Sequence, residues 1–430
     1  MNRRLGRYGA LHLQLDSTDL ENIGTMHETI NPERISKADI AVFIPSYNEA
    51  ENIGLVVKKA STGLKKFYPD FTSVVVNCDN NSADGTKEAF FAAECEIPRI
   101  YISTPPGYRG KGGNLRNAFA AASGLSSKAV VLLDANLVSI KTTWIKSLID
   151  PILDCSMEYV TPLYVRHKYD APLTRGFVYP MMRALFGRRV FQPISVDHAF
   201  SGRVNQIFHE TNWDDDDRGY KSDMKMLYTV ISNQIPICQS FMAHPRLSTL
   251  GKLDLNIGKA FSHTVKSLFE LMIETADFWR NIKRSRPTIL AGADESPQNP
   301  APLVEVDRAI LLDGFLDLGE SAKRAWGKYL SPALTMELTA LFNQAENGSV
   351  PSLEVELWKK VIFEAALVYK NIADDSRLEV AASLAPLFLL KGLTVNILAE
   401  DMSENQYHSY LESEALCFEL GKKELTEAWD

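Results

Sequence analysis

Cysteine is scarce in this chain. Only five of 430 residues are cysteine (Cys78, Cys95, Cys155, Cys238 and Cys417), an odd number with no Cys-x-x-Cys spacing. That excludes a disulfide framework and a thiolate zinc site. Long apolar runs are also missing. The longest uncharged one lies near 380–390 and falls short of the ~20 residues that cross a bilayer, so no membrane span is expected. No apolar stretch follows Arg3, Arg4 and Arg7, so a secretory leader is not expected, and the expected compartment is the cytoplasm. There is no excess of basic charge either. Lys and Arg number 46 against 54 acids, a net charge of −8, which argues against a broad nucleic-acid-binding face. Between 400 and 430 nine acids stand against Lys422 and Lys423, so this segment holds all but one of the net charges. It reads as a solvated helix face. With 24 glycines and 20 prolines, the chain is no collagen or linker array.

What is present is a globular composition, 45% hydrophobic and 23% charged, in a chain longer than one typical domain of ~100–200 residues. Residues 1–38 are polar and irregular. From Ile40 short β-branched runs alternate with helical spacing: strands at 40–45, 72–77, 99–103 and 129–133, helices at 50–67, from 86 to 94, and from 113 to 123. That alternation predicts βαβ units on a mostly parallel sheet. After about 255 the strand signal stops. Phe261, Val265, Leu268, Phe269, Met272 and Ile273 recur at three and four residues, and helical patterns return at 333–342, 353–369 and 378–390 after a loop at 287–302. The expected organisation is an extension (1–38), an α/β domain (39–254) and a helical domain (255–430). Exposed apolar faces on the C-terminal helices make a homodimer an expectation.

Chemistry-bearing residues cluster where strands end, the edge at which open α/β sheets bind ligands. Pro45-Ser46-Tyr47-Asn48-Glu49 closes the first strand and Asp79 through Thr86 the second. Gly110-Lys111-Gly112-Gly113-Asn114 follows the third, and Asp134-Ala135-Asn136 the fourth. Glycine lets backbone N–H groups approach an anion, and Lys111 adds a point charge suited to phosphate. Asp134 and Asn136 present oxygens toward one side, as a hard divalent cation needs. No Gly-x-Gly-x-x-Gly follows the first strand, so a dinucleotide fold is not indicated. The four aspartates 214–217 read as a solvated loop, His167, His198 and His209 as surface or packing residues, and Trp144 and Trp213 as packing.

This ordered set resembles the nucleotide-sugar-dependent glycosyltransferases of the GT-A fold, with Asn80 in place of one acid and Asn136 in place of the second acid of the metal motif. The stretch from Val160 to Lys259 is similar to the retaining mannosylglycerate and glucosyl-3-phosphoglycerate synthases, through Tyr164-Val165-Arg166, Phe191 to Asp197, Gly219 to Asp223 and Ala243-His244-Pro245-Arg246-Leu247. Val196 departs from that group's glycine-bearing segment. The resemblance implies transfer of a hexose from a nucleoside-diphosphate sugar to a small hydroxy-acid acceptor. Pro45, Tyr47, Glu49 and Asp79 would hold base and ribose, with Ser82 nearby, while Lys111 would sit near the diphosphate and Ala135 would also contact substrate. Mg²⁺ or Mn²⁺ would sit on Asp134, Asn136 and His244. Arg166 would meet the acceptor's anionic group, because its planar fork matches carboxylate or phosphate. Gln192 and Asp197 would line the acceptor region, and Asp223 would act at the reacting centre. Rival readings are a non-catalytic sugar-nucleotide-binding protein, an inverting glycan transferase and a nucleotidyltransferase.

Overall fold

The computed structural model describes residues 26–107, 110–213, 220–247, 257–292 and 295–429. Strand β1 (Glu28–Ile30) is followed by β2 (Ile40–Ser46), α1 (Ile53–Phe67), β3 (Ser73–Asp79), α2 (Thr86–Ala92), β4 (Arg99–Ser103), α3 (Lys111–Gly124), β5 (Ala129–Leu132) and α4 (Thr142–Asp154). Then come β6 (Tyr159–Val165), a π-helical turn (Thr174–Val178), α5 (Tyr179–Phe186), β7 (Arg188–Arg189), β8 (His198–Ser201), α6 (Gly202–Glu210), α7 (Lys221–Ser232) and β9 (Ile237–Pro245). The remainder is α8 (Ile257–Glu274), α9 (Ala276–Trp279), β10 (Arg286–Pro287), β11 (Ile289–Ala291), α10 (Arg308–Tyr329), α11 (Pro332–Glu346), α12 (Val355–Asn371), α13 (Asp374–Ser383), α14 (Ala385–Leu398) and α15 (Glu404–Glu427).

Nine strands form one sheet in the order β1-β4-β3-β2-β5-β8-β6-β9-β11. Pairing is parallel except at β1–β4 and on both sides of β8. The α/β expectation therefore holds, with two additions. Strand β1 lies inside the segment read as irregular, and β11 extends the sheet beyond the point where the strand signal stops. Three residues give period-2 alternation too little length to register.

The central strands are buried on both faces, as parallel strands between helical layers must be. In β2, Ile40, Val42 and Ile44 face one core and Ala41 and Phe43 the other. The first core is closed by α1 and α4. Helix α1 turns Ile53, Val56, Val57, Ala60 and Leu64 inward at helical spacing and ends before Pro69, which the residue ahead of it accommodates poorly as helix. At Gly63 the two helices touch; an added Cβ would sit 2.7 Å from Ile145 Cγ1.

The second core begins under α3 and α6 and runs without a break into the helical half. Phe119, Phe208 and Trp213 belong to the same cluster as Phe261, Trp326, Trp358 and Tyr369. Trp144 and Trp213 are both buried packing residues. The expected boundary at 254/255 falls outside the described residues. Helix α10 gives no periodic signal that the sequence reading registers, and the expected helix 378–390 is two helices that meet at Leu384, because Pro386 starts the second. The stretch Asp374–Leu398 is long and apolar enough to cross a membrane by composition alone, yet 78% of its most apolar window is buried inside the protein.

Helix α15 corrects the reading of the acidic tail as solvated. Glu412 and Glu419 pair with the buried Arg183 of α5, and Glu414 with the buried Lys391 of α14.

Candidate active site

The first two strand-end loops are tied together by side-chain caps. Ser82 Oγ accepts the Asn48 N–H at 2.8 Å, Thr86 Oγ1 accepts that of Glu49 at 2.9 Å, and Asp84 accepts that of Ala50 at 3.0 Å. Asn48 takes a left-handed conformation (φ 55°), which asparagine tolerates. Behind this zipper Asp79 is fully buried and accepts from Ser46 Oγ, Ser82 N and Oγ, and Tyr101 Oη at 2.6–3.0 Å. Its carboxylate orders the loops and does not line the cleft. Asn80 takes up the third loop, donating to the Gly110 carbonyl at 2.7 Å.

These loops surround an open cleft of about 620 Å³, lined by Pro45, Tyr47, Glu49, Asn80, Lys111, Asn114, Asp134 and Val196 among others. The N-terminus of α3 opens onto it at Gly110 and Lys111, and the helix dipole favours an anion there. Tyr47 is 58% exposed, a ring presented to the cleft with little of its own surface covered. Lys111 Nζ lies 2.5 Å from Asp223 Oδ1, joining two expected site residues that are distant in sequence. Tyr220 lies among Asp223, Lys111, Arg246 and Asp134; burial pushes its phenol up, and Asp223 adds to this. Glu49 is raised too, first by burial and then by the charge of Asp134, while hydrogen bonds from Asn52 and Asn136 oppose the shift.

Asp134 is engaged by a residue that the sequence reading leaves without a role. Arg246 Nη2 donates to its Oδ2 at 2.6 Å, and Arg246 Nε donates to Asp197 Oδ2 at 3.1 Å. Asp197 is completely buried, accepts the Asp134 N–H at 2.8 Å and takes the Tyr164 hydroxyl. Burial raises its pKa, but Arg246 and Tyr164 win and hold it below the usual carboxylate range. Asp197 anchors Arg246 rather than lining the cleft. Gln192 is likewise turned into its own loop, donating to the Ile194 carbonyl at 2.9 Å. Ala135 is buried beneath the Asp134 turn.

Each of the expected metal ligands has a partner within the protein. Asp134 is held by Arg246, and Asn136 hydrogen-bonds Glu49. His244 Nδ1 lies 3.0 Å from Asn299 Oδ1. Among the described residues no three His, Cys, Asp or Glu side chains gather as metal ligands would. The cause is local. Between Leu163↔Phe241 and Val165↔Pro245 the β9 strand carries two extra residues, and Ala243 takes a left-handed turn (φ 56°). A bulge of this kind re-aims the side chains that follow it. Here His244 is paired with Asn299 while Arg246 reaches Asp134. The sequence reading assigns Arg246 no role.

Arg166 follows the end of β6. Its guanidinium is 5.2 Å from the Tyr164 ring centre and donates to Asp170 Oδ2 at 2.6 Å, while its buried Nε has no hydrogen-bond partner among the described residues.

Residues 41–202 match the model of glycosyl transferase family 2. That segment holds β2 through β8 and every strand-end loop of the cleft except the approach of Arg246. The segment carrying the cleft thus matches a glycosyltransferase domain, as its motifs imply. Among solved structures, the chain is similar to glucosyl-3-phosphoglycerate synthase of Mycobacterium tuberculosis, in complex with Mn²⁺, UDP-glucose and phosphoglyceric acid. The identity is 21% and the TM-score 0.44, over 54% of this chain and 79% of that one. The same enzyme with Mn²⁺, UDP and glucosyl-3-phosphoglycerate gives 20% and 0.44, over 55% and 79%. A mycobacterial protein gives 19% and 0.44, over 55% and 75%.

Proposed function

We propose that the protein transfers a hexose from a nucleoside-diphosphate sugar to a small acceptor bearing a hydroxyl and an anionic group, with retention at the anomeric carbon. The observation that carries the donor half is the cleft itself, which sets an exposed aromatic ring, a helix N-terminus and a lysine around one open volume. Tyr47 stacks on the base, Glu49 reaches the ribose, and Lys111 with the N–H groups opening α3 takes the diphosphate.

The unfilled Nε of Arg166 supports an anionic acceptor, since a buried guanidinium donor without a partner costs energy until an oxyanion fills it. Carboxylate and phosphate both fit its planar fork. In the reaction the acceptor oxygen bonds to the anomeric carbon as the bond to the diphosphate oxygen breaks. The acceptor proton passes to that leaving oxygen, so no separate base is needed.

The test incubates the protein with UDP- and GDP-hexoses and a panel of glycerate, 3-phosphoglycerate and neutral polyols, reading product and anomeric configuration by NMR. Transfer to anionic acceptors with retention is the expected result. Transfer to neutral polyols alone removes the anionic-acceptor reading. Binding of the donor with no transfer to any acceptor favours the non-catalytic alternative.

A further inference from the structure

Arg246 is the most densely held charge near the cleft that the donor reading leaves unused. Its guanidinium bridges Asp134 and the fully buried Asp197, lies 5.8 Å from the Tyr164 ring centre, and is 13% exposed. Burial works against its charge, and Asp197, Tyr164 and Asp134 together outweigh that effect. Two of its donors, Nε and Nη2, are used on the carboxylates. The residues one would assign to a divalent cation are otherwise engaged. Asp134 neutralises Arg246, Asn136 bonds Glu49, and His244 pairs with Asn299. One carboxylate already facing a guanidinium, plus a neutral amide, is a poor set for a hard dication that prefers several anionic oxygens. A metal placed on Asp134 would also stand beside a positive charge that cannot be deprotonated.

We propose that Arg246 takes the place of a divalent metal, so that the donor diphosphate is neutralised by Arg246 together with Lys111 and transfer proceeds without a metal ion. This rests on the donor reading above. Three observations support it jointly: the bulge at Ala243 that precedes the arginine, the buried Asp197 that anchors it, and an asparagine where a second carboxylate would repel Glu49. A guanidinium suits the task, because its fixed fork of N–H groups pairs with two phosphate oxygens at once. Asp197 keeps it oriented while Asp134 can yield it to the arriving diphosphate.

The experiment uses the full chain, first stripped with EDTA. UDP is titrated by calorimetry in EDTA and in Mn²⁺, Mn²⁺ is titrated alone, and sugar transfer is followed in both buffers. The expected result is a UDP Kd within about threefold between the buffers, no tight Mn²⁺ binding, and transfer that survives EDTA. Arg246→Gln should weaken UDP by about 30-fold or more, as loss of a buried charged donor does, while Arg246→Lys keeps part of the affinity. UDP binding or transfer that collapses in EDTA and returns with Mn²⁺ overturns the proposal and leaves the donor reading intact. Absence of UDP binding in both buffers overturns both. The wild-type titrations decide the matter even if Arg246→Gln does not fold.

Discussion

Lys111 and Asp223, 112 residues apart, meet at 2.5 Å where α3 and α7 begin. The aspartate is 1% exposed and the lysine 20%, so the pair sits at the inner wall of the cleft. Lys111→Met removes that cation and should cost about 3 kcal/mol, the scale for breaking one side of a buried pair. It should also weaken UDP. Lys111→Met with Asp223→Asn should recover most of the stability and none of the UDP affinity. Urea denaturation and calorimetry on both variants separate the two effects; equal recovery of both would make Lys111 purely structural.

Arg166→Ala should raise the acceptor KM about tenfold or more while donor hydrolysis stays close to wild type, because the loss falls on acceptor binding alone. Equal losses in both activities would show that Arg166 acts by holding Tyr164 and Asp170 in place.

Asn136→Asp would set a second carboxylate against Glu49 and next to Asp134. Like charges about 4 Å apart at an effective dielectric of 20 repel by about 4 kcal/mol. UDP-sugar should therefore bind more weakly in metal-free buffer, and the variant should bind Mn²⁺ more tightly than wild type. A Mn²⁺ titration of turnover checks this, and unchanged metal-free affinity would speak against it.

His198 gives the pH prediction. Burial first, then the nearby Lys111 charge, lower its pKa to about 4. The unfolded chain, with an ordinary histidine pKa near 6.5, binds the proton first, so stability falls as pH drops from about 6.5 to 4. The loss should reach roughly 3 kcal/mol, at 1.36 kcal/mol per pH unit. His198→Phe, which keeps the stack on Tyr159 5.3 Å away, should flatten that part of the profile in urea melts run from pH 7.5 to 4. A parallel profile in the variant would assign the slope to other groups.

Buried Lys391 and Glu414 bind α14 to α15, at 3% and 4% exposure. Lys391→Met alone should cost about 3–5 kcal/mol by leaving a carboxylate inside, whereas Lys391→Met with Glu414→Leu should restore most of it. Midpoints of urea unfolding report both.

The strand-end loops were legible because each motif combines local turn chemistry with a short apolar run, as at Pro45–Glu49 and Gly110–Asn114. Their partition was not. Asp79 reads as a ligand in sequence, yet four donors from three different segments absorb its carboxylate. His244 reads as a metal ligand by resemblance, yet beyond an irregularity in β9 it pairs with Asn299 while Arg246 takes Asp134, a pairing the sequence does not display. Helix α15 looked solvated because its acids find Arg183 and Lys391 only through long-range packing, which charge counting along the chain does not see.

The ties between α5 and α15 also set a schedule for biosynthesis. Arg183 stands on α5, just ahead of the Phe191–Asp197 segment, and it is secured by Glu412, 229 residues later. At roughly 5–20 residues per second, a ribosome needs roughly 10–45 s to cover that distance. Throughout this interval the emerging α/β half carries an uncovered apolar face that only the later helices close. The nascent chain is then at its most vulnerable to association with other chains, and a chaperone that holds that face would raise the yield of active protein more than one acting after release.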